Sequence, residues 1–150
     1  MIDWMTGKAW DSTVSTQVEK NPALSASAAR QNGMLAVINA ISGNLDVGPR
    51  QVLADIGKGS IDLKMADFDN AFSAAITSKL LYCADGTPFS ELDGFHQDLY
   101  DSVMKLTPDR LAQLATGLIN GDEIAALKDR FAGVQAHLMK LNKAGKVQKR

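Results

Sequence analysis

Asp85-Gly86-Thr87-Pro88-Phe89-Ser90-Glu91 sets two carboxylates around an Asp-Gly turn, and Asp46 follows the earlier turn Ser42-Gly43-Asn44. Loop carboxylates suit a hard divalent cation, and Mg²⁺ needs few protein ligands. A calcium EF-hand is excluded by position. Counted from Asp85, the third and fifth residues are Thr87 and Phe89, the sixth is Ser90 where glycine is needed, and the twelfth is His96 in place of Glu. What is left is weak divalent binding by Asp85, Glu91 and Asp46. The competing reading is a plain turn, with Gly86 supplying positive φ, Pro88 stiffening the chain and Ser90 capping the next helix.

Other chemistry finds little footing. His96 and His137 are far apart in sequence, and no His-x-x-x-His or Cys-x-x-Cys spacing marks a zinc site. The Gly57-Lys58-Gly59-Ser60 stretch is too short for a phosphate-binding loop. No nucleophile motif organises the many Ser and Asp residues. The single cysteine, Cys83, forms no disulfide framework and fits a buried helix face. The chain reads as non-enzymatic, with no cofactor beyond a divalent ion.

Charge points to partners. The net charge is −1, which argues against a surface-wide nucleic-acid interface. The last eleven residues carry Lys140, Lys143, Lys146, Lys149 and Arg150 and no acid. Such a tail reads either as a solvated, disordered end or as a contact for acidic partners, anionic lipid or phosphate that reads no sequence. Trp4 and Trp10 give the N-terminal segment two further docking side chains. No apolar run approaches the ~18 residues of a membrane span, and the N-terminus lacks a signal-peptide pattern. The expectation is a cytoplasmic protein acting through protein partners.

These residues must be held by helices. Asn21-Pro22 and Thr107-Pro108 pair an N-cap with proline at the first helical position. Ile124, Leu127, Phe131, Val134, Leu138 and Leu141 alternate steps of three and four, the stripe of an amphipathic helix. The same rule predicts a short helix opening at Pro49 with Val52, Leu53 and Ile56 inward, closed by Gly57 and Gly59. It predicts a long helix from Leu63 to Cys83, another opening at Ser90 with Asp93, and a stop at Gly121. Phe72, Leu80, Leu99 and Leu111 are expected in the core. With no sustained period-two alternation recognised, no sheet is expected.

A shift of 43 residues lays Gly43 on Gly86, Val52 on Phe95, Ile56 on Leu99 and Leu63 on Leu106. The predicted fold is an all-α compact bundle of six to seven helices with an internal pseudo-repeat. Residues 1–20 form an arm or short helix, 21–144 the domain and 145–150 a basic tail. The motifs Ala84-Asp85-Gly86, Ser90-Glu91, Leu106-Thr107-Pro108-Asp109 and the acidic, Phe-containing run 62–72 resemble the tellurite-resistance TerB family and the related N-terminal domain of the DjlA co-chaperones. The resemblance spans roughly residues 17–119. It implies a two-unit helical fold, a stress-response role and acidic turns that form a divalent-metal site. The first unit departs from the pattern, since Gly48-Pro49-Arg50 stands where the family's Glu is expected. The alternative is a structural or adaptor component of a large assembly, such as a phage or secretion particle, that docks through its terminal segments.

Overall fold

The computed structural model describes residues 7–46, 48, 51–65, 70–84 and 86–148. Among these, the chain forms five α-helices and five short strands in two sheets. The order is β1 (Lys8–Ala9), α1 (Ser12–Glu19), α2 (Pro22–Ser42), β2 (Val52–Ile56), β3 (Ile61–Met65), β4 (Phe95–His96), α3 (Gln97–Met104), α4 (Pro108–Ala115), α5 (Gly121–Lys143) and β5 (Val147–Gln148). The all-α expectation is therefore wrong, and the fold is mixed α and β.

The correction begins at residue 52. Val52 to Ile56 is a strand, paired antiparallel with Ile61–Met65 through a hairpin loop at 57–60. Val52 and Ala54 are buried on one strand, and Ile61, Leu63 and Met65 on the other. That is the period-two burial of a sheet with one face on a core. β1 pairs with β2 on the far side, so the order is β1-β2-β3. The expected helix from Leu63 to Cys83 is absent among the described residues. In its place stand β3 and a strap of turns over residues 70–81. The 43-residue repeat fails with it, because the first copy places a 21-residue helix where the second places that strap.

The Asp-Gly turn is not a helix–helix connection. Gly86 N donates to Cys83 O at 3.0 Å and Cys83 N donates to Thr87 O at 2.8 Å. Tyr82 and Pro88 bridge behind them, so the turn is the tip of a small antiparallel hairpin. Gly86 has φ 88°, the left-handed residue such a turn requires. No helix opens at Ser90: a single 3-10 turn spans Phe89–Glu91, and α3 begins at Gln97 after His96. Gly121 opens α5 instead of ending α4, whose C-cap is Thr116.

The caps that were legible form as expected. Asn21 accepts from Ala23 N and Leu24 N ahead of Pro22, and Thr107 accepts from Arg110 N ahead of Pro108. Asn120 and Glu123 add a capping box at the start of α5. At its other end Gly145 N bonds Asn142 O and Lys146 N bonds Leu141 O, with Gly145 at φ 72°. This is a Schellman stop, and it turns the chain so that β5 runs parallel to β4.

Helix α2 runs between two apolar clusters. Leu24, Ala28 and Leu35 pack with Val14 and Val18 of α1 and with the inner face of the sheet. Ala36, Val37 and Ala40 pack with Phe131, Val134, Leu138 and Leu141 of α5, and with Cys83, Phe89 and Phe95. Leu99 and Leu111 are only partly buried against this second cluster, and Phe72 and Leu80 are exposed. The helical stripe assigned to those last two belongs to a strap that is not a helix, so its spacing selects no inward face.

The outer edge of β3 is closed by α2. Ser27 Oγ accepts from Ile61 N at 3.3 Å and donates to Ile61 O at 3.2 Å. One turn on, Gln31 Oε1 accepts from Leu63 N at 2.6 Å and Gln31 Nε2 donates to Ile61 O. Two side chains on one helix face thus take the place of a neighbouring strand.

Candidate functional site

Among the described residues, an apolar groove lies where the strap meets three helices. The last turn of α2 contributes Ile38, Ile41 and Ser42, the strap contributes Phe72, and α4 contributes Leu111 and Leu114. Leu118 stands just beyond α4, and Leu127 of α5 also lines the groove. The volume is about 520 Å³, and among the described residues no charged one lines it. Leu118 is 82 % exposed and Leu114 53 %. Contiguous apolar surface of this kind marks an interaction site, whereas a single exposed leucine does not.

Helix α4 is positioned for this role. Leu111, Leu114 and Leu118 follow the helical spacing, and none of the residues of α4 is fully buried. The helix lies on α5, where Asp109 in its first turn pairs with Lys128 at 2.6 Å. That ammonium holds the Asp109 carboxyl below the usual carboxylate range, first by hydrogen bonding and then by charge. With one side of α4 on α5, its leucines are left to the groove.

The opposite wall is held under strain. Phe72 has φ 65°, a left-handed conformation that is an outlier for a bulky side chain. Phe72 N donates to Ser42 O at 2.6 Å. Behind it, Arg130 of α5 is fully buried. Its Nε donates to Ile41 O at 2.8 Å, and its Nη1 donates to Ser73 O at 3.0 Å and Ile76 O at 2.9 Å. Asp129 accepts from Ser78 N at 2.8 Å. Consecutive residues of α5 therefore bind the strap, and one guanidinium ties it to the C-terminus of α2. Burial pushes the Arg130 pKa below its ordinary value, with the Asp129 charge acting the other way.

Two of the three expected metal residues line different recesses. Asp46 lines a recess with Asn70, Ser73 and Ile76, while Glu91 lines a different one with Cys83, Thr87 and Asp93. Asp85 is outside the described residues. Among the described residues, no three His, Cys, Asp or Glu side chains gather in a way that could hold a metal ion. Cys83 is buried in the second cluster.

The expected partner residues divide. Trp4, Lys149 and Arg150 are outside the described residues. Trp10 donates its backbone N–H to Val52 O at 2.9 Å and packs its ring on the sheet cluster, which commits much of it internally. Lys140, Lys143 and Lys146 are exposed and form no ion pair among the described residues. No helix among the described residues is long and apolar enough to cross a membrane. Leu114, Leu118 and Arg130 were not singled out from sequence. The leucine spacing was a signal for the first two, whereas Arg130 reaches carbonyls more than fifty residues away and left none.

Set beside known proteins, the chain matches no family model, no curated protein and no solved structure.

Proposed function

We propose that this chain is a non-enzymatic interaction module that docks the apolar face of an amphipathic helix from a protein partner. The observation that carries the reading is the groove between α2, α4 and the strap, with Leu127 of α5 in its lining and no charged residue there among the described residues. Ridges on two helices with a third below leave room for one more helix, a geometry that helix-in-groove recognition uses. The strained Phe72 supports the same reading, because strain of this kind collects at clamps and switch regions. The all-helical fold implied by the TerB resemblance is not the fold observed, so a stress-response role draws on the short motifs alone. An adaptor role in a larger assembly draws on the groove.

The test is site-specific photocrosslinking in cells, with the photoreactive side chain placed at Leu118 and, as control, at Gln113. A defined heterologous adduct at Leu118, lost when Leu114→Asp is added, supports docking. No adduct, or one that is indifferent to Leu114→Asp, rejects it. An adduct of twice the chain mass would show the occupant to be a second copy and reject the heterologous partner.

A further inference from the structure

A second recess, sharing no lining residue with the groove, lies at the far end of the strap in sequence. Its walls are strap residues Ser78–Tyr82, the segment Pro88–Ser90, and Gly133 and His137 on α5. Its polar lining residues are Ser78, Lys79, Tyr82, Ser90 and His137. Among the described residues, no acidic residue lines it and Lys79 has no ion-pair partner. Leu80, Leu81 and Pro88 add an apolar margin.

Two of these residues are held in place. His137 Nε2 lies 3.0 Å from Leu92 O. A carbonyl only accepts, so Nε2 carries the hydrogen, and in the neutral ring Nδ1 is left as an acceptor. The buried Phe89 ring packs edge-on against the imidazole, with centroids 5.3 Å apart. Ser78 is fixed by the Asp129 carboxylate at its N–H. A Cβ at Gly133 would stand 2.7 Å from Ser78 Cβ, so glycine is what lets the strap press this closely on α5. Segments far apart in sequence thus bring hydrogen-bond donors and one cation around a space of about 270 Å³. That is just below the ~300–1,000 Å³ usual for small-molecule sites.

We infer that this recess binds a small organic oxyanion, a carboxylate or phosphate monoester with a short apolar body. Lys79 supplies the charge, the three hydroxyls donate to the oxyanion, and His137 Nδ1 accepts from a hydroxyl or acid proton on the ligand. The apolar margin takes the body.

The experiment is a titration of ¹⁵N-labelled full-length chain with phenyl phosphate and, separately, benzoate, at constant ionic strength set with chloride. Saturable shifts at Ser78–Tyr82, Ser90, Gly133 and His137 are expected with a dissociation constant of millimolar order or below. Whichever probe binds more tightly identifies the headgroup. Lys79 is exposed, so Lys79→Ala should leave the fold intact and weaken binding at least about fivefold. His137→Phe keeps an aromatic ring against Phe89 and should also weaken it. Absence of saturable shifts with both probes overturns the assignment. So does a Lys79→Ala chain that titrates like wild type, or shifts centred on Lys140, Lys143 and Lys146.

Discussion

Gly43 and Arg130 occupy one another's space. A Cβ at residue 43 would lie 2.7 Å from Arg130 Nε and 2.8 Å from its Cζ, and Gly43 also has φ 67°. The glycine that ends α2 is thus the opening through which a buried guanidinium reaches the Ile41 carbonyl in that helix's last turn. Gly43→Ala should cost at least the ~1–2 kcal/mol of a left-handed alanine, plus the displacement of Arg130. Urea denaturation reads it. A loss of only ~1–2 kcal/mol would mean that Arg130 relaxes freely.

Arg130→Met should be worse, at roughly 3–5 kcal/mol, because the carbonyls of Ile41, Ser73 and Ile76 lose buried partners at once. Arg130→Lys should rescue little, since one ammonium cannot reproduce the planar fork. In a double-mutant cycle Gly43→Ala and Arg130→Met should be strongly non-additive; additivity would sink the coupling.

Gln31→Ala should remove the partner of Leu63 N and one partner of Ile61 O, at a cost of ~1–3 kcal/mol. It should also raise light scattering on prolonged incubation, because an uncovered edge strand is a pairing surface. The control is Gln113→Ala on α4, expected to change stability by under ~0.5 kcal/mol.

The Asp109–Lys128 pair gives an acid-side signature. Asp109 titrates lower in the folded chain than in the unfolded one. Its contribution is therefore present above the unfolded carboxyl value of about 4 and is lost as pH falls through the lower folded value. Asp109→Asn should reduce stability near neutrality, and its curve should converge with wild type at the acid end. Urea midpoints taken between about pH 2.5 and 6 test this. Parallel curves would show that the pair does not act.

Placement of Asp46 and Glu91 in different recesses predicts that micromolar Mg²⁺, Ca²⁺ or Zn²⁺, compared with EDTA, leaves the melting temperature unchanged. A shift of several degrees that Asp85→Asn abolishes would restore a dedicated ion site.

The sequence read well where a signal is local and read poorly where two periods coincide. Asn21-Pro22 and Thr107-Pro108 specify helix starts through bonds made within three residues. The Leu127, Phe131, Val134, Leu138 and Leu141 stripe is buried along α5 as its spacing requires. The hairpin was missed because Val52 and Ile56 are four apart, a spacing that keeps one face in a helix and in a strand alike. The positions that decide are two apart: Val52 with Ala54, and Ile61 with Leu63 and Met65, around a glycine-rich loop. Likewise Asp85-Gly86 is as much a hairpin signal as a helix stop. The groove was half-written in Leu111, Leu114 and Leu118, but its other wall depends on a long-range clamp that no local pattern encodes.

Helix α2 supplies apolar side chains to both clusters, from Leu24 to Leu35 on the sheet side and from Ala36 to Ala40 on the α5 side. Neither side can therefore melt without withdrawing support from a helix that the other needs. The two halves of the chain should report a single cooperative transition, and the amides between Leu35 and Ala40 should exchange with solvent only through global opening. An event at the sheet would then be felt at the groove as a change in the occupancy of one shared rod, with no separate relay between them.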